Sequence, residues 1–129
     1  MLADVADKIK ATGGVKVEGA GKESLTGIML TNNVTLEHVD YSISINDFDA
    51  FDECRSIASA GLLVGGSAGL NVAASKVLSS DIVQKNTNDA DTIPEGGVTI
   101  VTLLCDHGIK YLSKIFNDEW MQANDTRTK

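Results

Sequence analysis

The residues of this sequence best suited to chemistry lie in Gly65-Gly66-Ser67-Ala68-Gly69. This is a G-x-S-x-G, the pattern in which a sharp strand-to-helix turn lifts a nucleophilic serine in serine hydrolases. The same residues suit a second chemistry. Glycines let a backbone turn tightly and approach a ligand without side-chain obstruction, and the serine then presents one hydroxyl to it. A purely structural use also exists, in which Ser67 is the N-cap of the helix that follows.

For the hydrolase chemistry, Asp106-His107 lies downstream and gives the order serine, acid, histidine. Adjacent side chains leave the backbone in different directions, however, whereas the acid of a triad must reach the ring nitrogen remote from the serine. His38 precedes Ser67, and no oxyanion loop stands upstream. Cys54, Cys105, His38 and His107 are the possible metal ligands, but only Cys105 and His107 are close in sequence, and no C-x-x-C or H-x-x-x-H pair anchors a set. They read as a core thiol at Cys54 and strand-end polar groups at 105–107, and no metal is expected. No G-x-G-x-x-G dinucleotide fingerprint occurs.

Elements must position these groups. Leu2, Val5 and Ile9 space a short helix over 1–11, which Gly13-Gly14 stops. Residues 22–37 have no period and read as loop. Val39, Tyr41, Ile43 and Ile45 alternate as a half-buried strand. Asn46 or Asp47 then caps a helix whose core stripe is Phe48, Phe51, Cys54 and Ile57/Ala58, ended by Gly61. Leu62-Leu63-Val64 reads as a short strand before the glycine turn. The following helix carries Leu70, Ala73, Ala74, Val77 and Leu78 on one face. Residues 84–97 read as a polar surface loop. VTIVTLL, 98–104, is a β-branched apolar run of the kind buried on both faces of a parallel sheet. Helical spacing resumes from Gly108 with Ile109, Leu112 and Ile115/Phe116, and a polar tail over about 122–129 is expected to fray. Strand and helix alternate, so the expected class is α/β. Three strands with a fully buried centre make an incomplete sheet, which implies a piece of a larger α/β unit.

Composition narrows the function further. The 129 residues fit one domain, with 43% apolar and 22% charged residues. A net charge of −7, with lysines scattered singly, argues against a nucleic-acid partner. No apolar run approaches the roughly 20 residues of a membrane span. The N-terminus lacks the apolar core of a signal peptide, so no membrane is expected and the expected compartment is the cytoplasm. The two distant cysteines read as free, partly buried thiols.

GLLVGGSAGLNVAA (61–74), VEGAG (17–21) and VTLLCDHGIKYLSKIFNDEW (101–120) together resemble the C-terminal part of the pyridoxal-phosphate enzymes of the cysteine synthase / cystathionine β-synthase family, from about Leu2 to Met121. The resemblance implies an α/β fold: a fragment of a three-layer sandwich with a mostly parallel sheet, the tryptophan synthase β-like fold type II. It implies a β-replacement that makes cysteine or cystathionine from serine or an activated serine, with pyridoxal 5'-phosphate as cofactor, an amino-acid substrate and a homodimer for the full-length enzyme. By that likeness Ser67 hydrogen-bonds the pyridine nitrogen, and Gly65 and Gly66 shape the cofactor turn together with Gly69. Glu18 opens the segment in which Gly19, Ala20 and Gly21 line the substrate side. A hydroxyl partner leaves the ring nitrogen largely unprotonated, a weaker electron sink that favours β-elimination and replacement. Cys105-Asp106 stands where many members have Pro-Asp or Pro-Ser, and His107 where they have a small residue.

The family's Schiff-base lysine, its Ser/Thr-Ser-Gly-Asn loop and its Gly-Thr-Gly-Gly-Thr phosphate cup have no match here. Thr12-Gly13-Gly14 lies too close to Glu18 to be the cup. No catalytic residue is therefore expected within 1–129, and the chain alone is expected to be inactive. The alternatives are a serine hydrolase with Ser67 as nucleophile and a non-catalytic remnant that only binds a partner.

Overall fold

A computed structural model describes Glu23–Ser24, Gly27–Ile28, residues 43–88, residues 97–125 and Arg127. Its elements are β1 (Glu23–Ser24), β2 (Gly27–Ile28), α1 (Asp47–Ser59), α2 (Gly66–Asn88), the 3-10 helix η1 (Gly108–Tyr111) and α3 (Asp118–Asn124). The expected helix over 1–11, the Gly13-Gly14 stop, VEGAG and His38 lie outside the described residues.

α1 forms where the sequence places it. Asn46 is extended, and its side-chain oxygen accepts the Phe48 N–H at 2.9 Å, closing an orphan donor of the first turn. Asp47 and Asp49 stand in that turn, where the helix dipole favours acids. Gly61 takes φ +99° just past the end, a conformation that side chains oppose. Phe48, Ala50, Phe51 and Cys54 are buried, and Ile57 packs against them.

α2 packs on α1 through small residues. Ala68 and Gly69 are buried at its start and Ala73 one turn on, with Leu70 against the same core. A Cβ on Gly69 would stand 2.1 Å from the Ala50 carbonyl oxygen and 2.4 Å from the Cys54 sulfur, so only glycine admits this approach. Lys76 bridges to Glu53 at 2.6 Å across the outer side of the pair. Val77, expected on the core face, is exposed, because the buried stripe is set by where the small residues let the helices meet. α2 also runs on to Asn88, so residues 84–88 are helix rather than the expected loop.

The C-terminal block closes the core from the other side. Ile115 is buried, and Asn117 caps α3 by accepting the Trp120 N–H at 2.8 Å. Trp120 meets Phe48 and Phe51 with ring centroids 6.3 and 5.9 Å apart. Arg55 on α1 donates to the Ile115 carbonyl at 3.0 Å and pairs with Asp118. Arg127 pairs with Asp49, Asp52 and Asp125 and lies over the Phe48 ring, so helix and ion pairs persist where fraying was expected. These acids hold its guanidinium charged well above the ordinary range, Asp125 most of all.

The expected α/β class, a sandwich fragment with a mostly parallel sheet, is corrected. Among the described residues the only sheet is β1–β2, antiparallel, with Glu23 opposite Ile28 and Ser24 opposite Gly27. It falls within the stretch expected to be loop. Leu62–Val64 contributes one isolated antiparallel bridge, Val64 to His107, in place of a strand. Residues 43–45 belong to no strand among the described residues and keep only the alternation of half-buried Ile43 and Ile45 around exposed Ser44, and 39–42 lie outside those residues. Residues 98–104 belong to no strand, and Val101 and Leu103 are 87% and 73% exposed. A run of this composition becomes a buried strand only when neighbours supply backbone partners and cover for both faces, and the described residues supply neither. Ile109 and Leu112 are exposed too, because η1 gives way to turns over 112–116 rather than a regular helix.

Candidate cofactor site at the Gly65–Ser67 turn

The turn that carries Ser67 is built from three segments. Cys54 on α1 lies beneath it, fully buried, with its thiol 3.2 Å from the Gly65 carbonyl that accepts its proton. Burial pushes this thiol up to about 11, so it stays a neutral donor at ordinary pH. The same Gly65 carbonyl accepts from the Ala68 and Gly69 N–H groups at 3.0 and 3.2 Å, which starts α2. Ser67 thus sits in the first turn of α2, half-buried, and not at the N-cap. Gly65 and Gly66 are buried.

The 106–111 segment closes the turn from the other side. The Gly65 N–H donates to the Asp106 carbonyl at 3.0 Å, and the Gly108 N–H to the Leu63 carbonyl at 3.0 Å. The Asp106 carboxylate and the Tyr111 ring rest against the Gly65 α-carbon, so a Cβ there would lie 2.0 Å from Asp106 Oδ1. Tyr111 donates its hydroxyl proton to Asp106 Oδ2 at 3.0 Å, and Lys110 reaches the same oxygen at 3.3 Å. The space that glycine frees at Gly65 is therefore filled by the protein itself.

This geometry opposes a catalytic triad. His107 Nδ1 accepts the Ile109 N–H at 3.1 Å and caps η1. In a triad that nitrogen carries the proton and donates it to the acid. The Asp106 carboxylate is engaged by Tyr111 and Lys110 instead. Cys105 is exposed rather than partly buried, and its sulfur accepts from the Asn71 amide at 3.4 Å. Among the described residues no three His, Cys, Asp or Glu side chains gather as a metal set.

The structure brings Gly65 against Asp106 and Tyr111, and Gly66 and Ser67 follow it into the first turn of α2. Gly19, Ala20 and Gly21 lie outside the described residues. The sequence reading missed the Cys54 thiol as the support of the turn and Tyr111 as the partner of Asp106. Five-residue spacing within an irregular segment carries no signal of such a pair. The Cys54–Gly65 contact joins residues on opposite sides of a helix stop, where no periodicity applies.

No protein-family model matches the sequence. Among curated proteins the chain is similar to cysteine synthase 1 of Neurospora crassa, with 28% identity over 121 residues. The alignment covers 89% of this chain and 29% of that relative, so the chain spans less than a third of its length. The resemblance of this chain to the cysteine synthase family thus rests on an alignment along almost all of it and not on one motif. No described helix is long and apolar enough to cross a membrane.

Proposed function

We propose that this chain is the cofactor-ring portion of a pyridoxal-phosphate-dependent β-replacement enzyme of the cysteine synthase type. The observation that carries the reading is the similarity to cysteine synthase 1 across 89% of the chain. The site is consistent with it at one end of the cofactor. Ser67 offers an uncharged, half-buried hydroxyl in the first turn of α2, suited to donate its proton to a pyridine nitrogen. In this reading Ser67 is the group that meets the ring end of the cofactor, and the sequence holds no match for its phosphate cup or its lysine.

When bound, the cofactor supplies the electron sink for exchange of the β-substituent of serine or an activated serine against a thiol or sulfide. The chain's own part is to orient the ring and set its polarity. Ser67 holds the nitrogen without contributing a charge, and Gly65 and Gly66 fix the turn from which Ser67 acts. Gly19, Ala20 and Gly21 line the side from which the amino acid enters. The full enzyme of this reading is a cytoplasmic homodimer that makes cysteine or cystathionine, and this chain alone holds cofactor reversibly and turns nothing over.

Equilibrium dialysis of the 129-residue chain against pyridoxal phosphate tests the reading. Saturable binding is expected, weakened about three- to tenfold in Ser67→Ala, the range of one hydrogen bond. Borohydride is expected to leave no stoichiometric adduct on any one lysine. Binding indifferent to Ser67, or a single reduced lysine, would contradict it. A fluorophosphonate probe is expected to leave Ser67 unlabelled, because His107 Nδ1 accepts the Ile109 N–H instead of donating to an acid.

A further inference from the structure

We propose that Tyr111 is a positioning residue for the Ser67 hydroxyl, acting through the Asp106 carboxylate and the Gly65 turn. The inference rests on the cofactor reading above and adds to it a residue that touches neither ring nor substrate. Three observations carry it. The Asp106 carboxylate lies against the Gly65 α-carbon, in the space a side chain would take. The Asp106 carbonyl accepts the Gly65 N–H at 3.0 Å, so Asp106 holds this glycine by backbone and side chain together. The Asp106 carboxylate itself is held by the half-buried Tyr111 hydroxyl at 3.0 Å and by the exposed Lys110 at 3.3 Å.

The two holds are unequal. A lysine at the surface keeps its own rotamer freedom, and its pairing is screened by water. The Tyr111 ring is packed against the core and against Gly65, so its hydroxyl is fixed in place. Removing that one oxygen leaves the carboxylate tied only to Lys110, free to swing off the glycine. Gly65 then keeps Cys54 beneath it and the ring beside it but loses the carboxylate part of its cover, and the first turn of α2 gains freedom. Ser67 lies two residues on in that turn. A hydroxyl must be held in direction as well as place to donate to a ring nitrogen, since hydrogen bonds weaken steeply off line.

Three variants separate positioning from mere packing. Tyr111→Phe removes only the hydroxyl, Asp106→Ala removes the carboxylate, and Asp106→Asn keeps an oxygen that can accept from Tyr111. The ¹⁵N-labelled chain is followed by amide exchange without ligand and by titration with pyridoxal phosphate. Faster Gly65 exchange is expected in Tyr111→Phe and Asp106→Ala, with the exchange of α1 unchanged. Affinity at the Gly66 and Ser67 amides is expected to fall about three- to tenfold in both. Asp106→Asn is expected to restore most of each. If the wild type responds to the cofactor and Tyr111→Phe responds equally, the positioning role is overturned and the cofactor reading stands. If Gly65 exchange is unchanged in Tyr111→Phe, or Asp106→Asn behaves as Asp106→Ala, the role is likewise overturned. If the wild type shows no response at Gly66 and Ser67, the cofactor reading falls and the inference with it.

Discussion

Two apolar regions of this chain end in opposite environments. At the α1–α2 junction Phe48, Phe51, Cys54, Ala68 and Gly69 are buried, with sulfur, carbonyl and backbone at van der Waals distance. Residues 98–104 are richer in β-branched residues, yet Val101 and Leu103 stand open. Residues 98–104 are the more apolar stretch by composition and yet the more exposed, so hydrophobicity does not decide burial. Partners do. The α1–α2 interface is assembled from residues close in sequence, which this chain contains in full. In the 98–104 run the Leu103 carbonyl accepts from the Asn71 amide at 2.9 Å and from the Cys105 thiol at 3.8 Å, both side-chain contacts.

If this contrast is right, substitutions in the two regions differ sharply. The largest effect is expected for Phe51→Ala, which empties a fully buried ring site beside Phe48 and Trp120. Loss of about 3–5 kcal/mol in chemical denaturation is expected. Next comes Gly69→Val, which drives methyl groups into the Ala50 carbonyl and the Cys54 sulfur. A loss of about 1–3 kcal/mol is expected, read as a lower denaturation midpoint with an unchanged slope.

The pH dependence of stability is a gentler probe of the same junction. The Cys54 thiol is raised by burial to about 11 from an ordinary 9.0. Between these values the unfolded chain has released the proton and the folded chain has not, so the unfolded state is favoured as pH rises. The contribution is full below about pH 9 and lost as pH climbs through about 11, and Cys54→Ala should flatten that limb of a stability–pH curve. In the native chain a thiol reagent should modify exposed Cys105 and spare Cys54 until unfolding. The smallest effect is expected for Val101→Thr, within about 0.5 kcal/mol of wild type, because an exposed side chain has little packing to lose. A large loss there would mean that 98–104 is covered in solution, and the contrast would fail.

The same division explains what the sequence disclosed. The cap at Asn46, the stripe Phe48–Phe51–Cys54 and the stop at Gly61 depend on residues a few positions apart, and each was readable. Ala50 in the core was not, because a small residue carries no periodic signal until the approach of Gly69 makes it essential. The expected parallel sheet rests on the β-branched run at 98–104, the alternation of strand and helix and the family resemblance, which report what segments can do when neighbours are present. At the site, Gly65–Ser67 was legible as a turn and Asp106 as a polar strand end. Their meeting depends on the Val64–His107 bridge and the Gly65–Asp106 hydrogen bond, contacts between segments about forty residues apart in the sequence.

In the proposed function Ser67 holds a pyridine nitrogen from the first turn of α2. A crystal structure of the chain with pyridoxal phosphate tests it most directly. The ring nitrogen is expected within about 2.6–3.2 Å of Ser67 Oγ, a normal hydrogen bond. A ring nitrogen facing solvent or bound to another side chain, with Ser67 turned away, would contradict it.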